Sequence, residues 1–132
     1  MNLNLNLVIF LGLISGFSVE ADADTYWVCP KGKASWANCK SEIPLDGTSA
    51  CSLSTANTNA VKGDTINLRA GTYSSYISPA NSGTATNRIT YKNYGSEIVT
   101  ICGAAYTIYL NGKDYITIME DNLQNLKIAL SC

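Results

Sequence analysis

Arg69 and Lys92 are two cations placed by a repeating pattern where they could act together. Arg69 follows the run TINL and Lys92 lies within RITYKNY, and apolar residues alternate in both. Alternation sends Ile66 and Leu68 to one face and Asn67 and Arg69 to the other; in the later run it sends Ile89 and Tyr91 inward and Thr90 and Lys92 outward. Matching Ile66 to Ile89 stacks Arg69 on Lys92 at about 4.8 Å, the spacing of neighbouring strands. Two cations so placed can hold a carboxylate. The plainer reading is a pair of solvated charges that deter edge pairing. Tyr73, Tyr76, Tyr94, Tyr106 and Tyr109 offer a second possibility, a stacking surface, against the simple preference of aromatic residues for strands.

Other chemistry is excluded by residue type. The chain has no histidine, which removes a Ser-His pair, a His-ligated zinc and a proton shuttle near neutral pH. No C-x2-C pair is present, so no metal centre is expected. The acidic residues are scattered, the only adjacent pair is Glu120-Asp121, and nothing matches an ordered calcium loop. A net charge of −1 gives no basic footprint for nucleic acid.

The elements that must position these residues fall into three parts. Residues 1–23 carry the apolar run Leu7 to Phe17 followed by Ala21-Asp22-Ala23, the pattern of a cleaved secretory leader, too short to span a bilayer. Secretion is therefore expected, with no membrane attachment after cleavage. Residues 24–60 hold one β-type run, YWVC, and then loop-like sequence rich in Ser, Asn, Gly and Thr. Cys29, Cys39 and Cys51 crowd into this segment, which in an exported chain implies one disulfide among them, with Cys29 joined to Cys39 or to Cys51. Cys102, within IVTIC, reads as a small buried hydrophobe, and Cys132 has no evident partner.

Residues 61–132 change character. Short β-branched or aromatic runs recur between turn residues: TINL, TYSSYI, RITYKNY, IVTIC, YTIYL, YITI and LKIAL. Ile66, Ile89 and Ile116 recur at offsets of 23 and 27 residues, and Ile77, Ile101 and Ile128 at 24 and 27. Hairpin signals are nearly absent, since the only Asn-Gly is Asn111-Gly112. The spacing predicts an all-β chain, a short parallel β-helix (solenoid), with bends at Gly71, Gly95 and Gly103. The competing reading is a small β-sandwich or an irregular disulfide-stapled domain.

The stretches GDTINLRAGTY, NSGTATNRITYKNYG, IVTICG and GKDYITI resemble the first coils of the pectate-lyase-like superfamily of parallel β-helix proteins. TYWVC and DGTSACSLSTANTNAVKGD resemble the segment that leads into those coils. The resemblance implies a right-handed β-helix, incomplete here, in a secreted protein acting on polysaccharide; Arg69 and Lys92, singled out by alternation and not by the resemblance, are the residues expected to contact an anionic chain. This chain departs from the pattern in carrying Cys102 before Gly103 and MEDNLQNLKIALSC after YITI. Catalytic residues and Ca2+ ligands of such proteins lie on later coils, so no catalytic residue and no cofactor is transferred. Two functions follow: the N-terminal part of a polysaccharide lyase whose catalytic coils lie elsewhere, or a non-catalytic module that binds carbohydrate. Self-association through the C-terminal edge is also expected, because Leu126, Ile128 and Leu130 are apolar.

Overall fold

The structure, a computed structural model, describes residues 23–103, 105–121, 124–129 and 132. The expected leader lies outside these residues apart from Ala23. Seven short strands account for most of the regular structure: β1 (Thr25–Val28), β2 (Thr65–Leu68), β3 (Gly71–Tyr73), β4 (Ile89–Asn93), β5 (Val99–Ile101), β6 (Ile116–Met119) and β7 (Leu126–Ile128). They form two sheets, ordered β1-β2-β4-β6 and β3-β5-β7, and every strand pairing is parallel. From β2 onward the chain alternates between the sheets. The parallel pairing excludes the hairpin-built sandwich, as the scarcity of hairpin turns suggested. At Asn111-Gly112 both residues adopt positive φ, 47° and 72°, but the turn they make joins no antiparallel pair.

Side chains from both sheets meet in one core. Ile66, Leu68, Ile89 and Tyr91 enter it from the first sheet, and Tyr73, Val99 and Ile101 from the second. Asn93 is also fully buried; its Nδ2 donates to the carbonyls of Gly95 and Glu97, fixing the turn after β4. Gly71 and Gly95 have positive φ at their bends, whereas Gly103 has none and is needed for close approach, since a Cβ there would meet the Tyr106 carbonyl.

Register corrects the expected ladders. Ile66 pairs with Tyr91 and Asn67 with Lys92, an offset of 25 residues rather than 23. A slip of two keeps the same side chains inward, so the apolar pattern cannot distinguish the two registers. The later pairing of Ile89 with Ile116 keeps the expected 27. Tyr73, not Ile77, stands beside Ile101, while Ile77 bridges to Ile108. The expected strand YTIYL therefore reduces to that single bridge.

The segment before β2 is more ordered than its composition implied. An α-helix, α1, spans Leu53–Asn59, where a loop was expected. The Ser52 hydroxyl caps it by accepting the Thr55 amide, and Leu53, Ala56 and the following Ala60 turn one apolar face to the core. Two 3-10 turns, Trp36–Cys39 and Gly47–Ser49, precede it.

The cysteines also require correction. Cys39 bonds to Cys51 and Cys102 to Cys132, leaving Cys29 as the free thiol. Tyr26 and Val28 of β1 point into the main core with Cys39 and Cys51, so alternation turns Cys29 to the opposite face, with Trp27 and Ala50. Cys102 is buried as expected, yet it has a partner. The in-register pairing of Ile101 with Ile128 carries the two chain segments alongside each other.

Candidate functional site

Arg69 and Lys92 do not stand side by side, because Lys92 is level with Asn67. Arg69 lies at the end of β2, where its Nε and Nη2 donate to both oxygens of Glu97 at 2.7–3.0 Å. Its Nη1 reaches the Leu45 carbonyl at 2.6 Å, and the guanidinium lies over Trp27 and Tyr94 at 6.0 and 5.6 Å. The guanidinium holds the Glu97 carboxyl below its ordinary value, and Glu97 in turn raises the pKa of Arg69. Lys92 donates to Asp121 at 3.0 and 3.2 Å. Asp121 also accepts the Gly95 amide, and its own amide donates to Asn93 Oδ1. Both cations thus have carboxylate partners within the chain.

Cys29 is buried, and its thiol donates to Asp46 Oδ1 at 3.3 Å. Burial first, and then the Asp46 carboxylate, push its pKa up to about 11, which disfavours the nucleophilic thiolate at neutral pH.

The tyrosines divide by environment. Tyr73 is buried and its hydroxyl contacts the carbonyls of Val28 and Arg69, both at 2.8 Å; burial drives its pKa far upward. Tyr94 packs edge-on against Trp27 at 4.8 Å. Tyr76, Tyr106 and Tyr109 come together on the surface, at 39, 51 and 40% exposure. Tyr106 and Tyr109 stack at 4.9 Å and 22°, and Tyr76 stands edge-on to them at 6.3 and 6.5 Å.

The Ile77–Ile108 bridge brings the three rings together. Ile77 donates its amide to the Thr107 carbonyl and accepts the Tyr109 amide, both at 2.9 Å, so Tyr76 meets the tyrosines flanking Ile108. Asn57 of α1 secures the same corner. Its Nδ2 donates to the Tyr76 carbonyl at 2.9 Å, while its Oδ1 accepts the Ser78 amide at 3.1 Å and the Tyr91 hydroxyl at 3.2 Å. Beside Tyr76 lies a recess of about 300 Å³. Ser54, Asn57 and Thr58 of α1 form one wall, the i, i+3, i+4 face that adjoins the helix's buried stripe, and Ser75 and Ser78 form another. Ala80 completes it.

The sequence named these tyrosines but could not separate the buried from the exposed. The α1 wall was missed; the one signal for it was Ser52 as a cap before apolar residues 53, 56 and 60 at helical spacing, set within a composition that disfavours a helix. Among the described residues no group of His, Cys, Asp and Glu could hold a metal ion, and no helix is long and apolar enough to cross a membrane. Comparison with protein-family models, curated proteins and solved structures found no match.

Proposed function

We propose that this chain is a secreted carbohydrate-binding protein, built as a right-handed parallel β-helix of the pectate-lyase-like kind, with Tyr76, Tyr106 and Tyr109 as its contact surface. The observation that carries this reading is the convergence of three exposed tyrosines from two distant segments beside a hydroxyl-lined recess. Phenol rings offer an apolar face with a polar tip, which suits a sugar's CH face and its ring of hydroxyls. The alternation of short parallel strands between two sheets, at offsets of 25 to 28 residues, supports the β-helix reading. Two disulfides support an oxidising compartment.

Binding is favoured here over lyase chemistry by the state of the cations. Elimination from a uronate needs a positioned base and cations free to neutralise the adjacent carboxylate. Arg69 and Lys92 are instead paired with Glu97 and Asp121.

Affinity electrophoresis of the exported protein in gels containing soluble polysaccharides tests the proposal. Retardation by at least one polymer is expected. Tyr106→Ala and Tyr109→Ala should each weaken it by up to about tenfold, the equivalent of one aromatic contact, with an unchanged circular dichroism spectrum. Unaltered mobility in every polysaccharide, or variants that bind as well as the parent, would overturn it.

A further inference from the structure

We infer that the tyrosine surface and its recess take an uncharged glycan rather than the anionic polymer that Arg69 and Lys92 suggested. The inference rests on the carbohydrate-binding reading and specifies its ligand. The residues lining the recess are Ser, Thr, Asn, Ala and Tyr, with no cation among them. The cation–ring contacts of the described residues lie elsewhere, Arg69 with Trp27 and Tyr94, and Arg88 with Tyr115. A carboxylate brought against Tyr76, Tyr106 and Tyr109 would meet the negative faces of the rings with no compensating charge. Desolvating an ion without a partner costs far more than desolvating a hydroxyl.

The polar groups that are present suit hydroxyls. Serine and threonine hydroxyls both donate and accept, as sugar hydroxyls do, and can pair with them in either sense. The Asn57 amide is already engaged by Tyr76, Ser78 and Tyr91, so it shapes the wall and leaves recognition to the hydroxyls of Ser54 and Ser75 and to the Thr58 oxygen, which accepts only, since its own hydrogen goes to the Ser54 carbonyl at 3.0 Å. Without ionic contacts the affinity is insensitive to salt, because screening acts on charge pairs.

The test compares neutral polymers (β-glucan, galactan, mannan and xylan) with polygalacturonate and alginate, using the full exported chain at low and high sodium chloride. The expected result is retardation by a neutral polymer, with less than about a twofold change in affinity across the salt range. Thr58→Lys, which sets a cation on the exposed rim of the recess, should add binding to polygalacturonate. Equal or stronger retardation by the uronate polymers, or affinity that collapses with salt, would overturn the inference and leave the carbohydrate-binding reading standing. A Thr58→Lys variant that gains no uronate binding would place the ligand away from the recess and also overturn it. Failure to bind any polymer would remove both.

Discussion

Glu97 is the residue on which the outer face of the first sheet depends. It receives three hydrogen bonds from Arg69 and a fourth from the Ala70 amide at 2.7 Å, in a site where the two side chains are 16 and 25% exposed. Glu97→Gln removes the charge and one acceptor, and is expected to cost about 1.5–3 kcal/mol at neutral pH, the range for hydrogen bonds to charged groups. The carboxyl pKa is lowered on folding from the ordinary 4.5. Its contribution is therefore present above about pH 4.5 and is lost as pH falls through the folded value. Urea unfolding at pH 7 and at pH 3 checks both points: the variant should be less stable than the parent at pH 7, and the deficit should be smaller at pH 3. An equal deficit at both would mean that the charge has no part in it. Alternation alone made the outward direction of Arg69 legible in the sequence. Its partner was hidden, because Glu97 lies 28 residues on, in a turn whose placement depends on the register of β4.

α1 is fastened to the rest of the chain by its apolar face and by the polar contacts of Asn57. Besides its three side-chain bonds, its carbonyl accepts the Ala80 amide at 2.7 Å. Asn57→Ala would leave the Tyr91 hydroxyl without that partner and free the Tyr76–Ser78 corner. The expected loss is about 2–3 kcal/mol, against about 1 kcal/mol for Ser52→Ala, which removes only the cap. Amide exchange checks the difference: the Ala60 amide, bonded to the Ala56 carbonyl, should lose more protection in Asn57→Ala. Equal effects would mean that α1 is held by its apolar face alone. Composition hid this helix, since Ser, Thr and Asn are poor helix formers away from a cap. The strands were easier to read because each is short and its alternating residues face either a core or solvent. The exception, YTIYL, shows the limit: a β-favouring run forms a strand only where a neighbour runs alongside it.

The molecule's two sheets end unequally. At β1, Tyr26 bridges to Lys40 and Val28 to Cys51, so the N-terminal segment lies along that edge. β6 and β7 are the last strands of their sheets, and among the described residues neither has a further partner strand. Met119 and Ile128 are 43 and 49% exposed there. An open parallel edge templates pairing with another chain, so the sedimentation coefficient should rise with concentration. Met119→Lys, which adds an edge charge, should suppress the rise. A concentration-independent monomer would exclude association through this edge.

The bond between Cys102 and Cys132 gives the same region a mechanical property. β6 and β7 lie inside the loop that it closes, which spans 30 residues of sequence. A pull on Cys132 is delivered through sulfur to the end of β5, so β6 and β7 are slack while the bond is intact. Reduction transfers the load to β7 and lets these strands peel in turn. The redox state of one cysteine pair thereby decides which strand resists tension first.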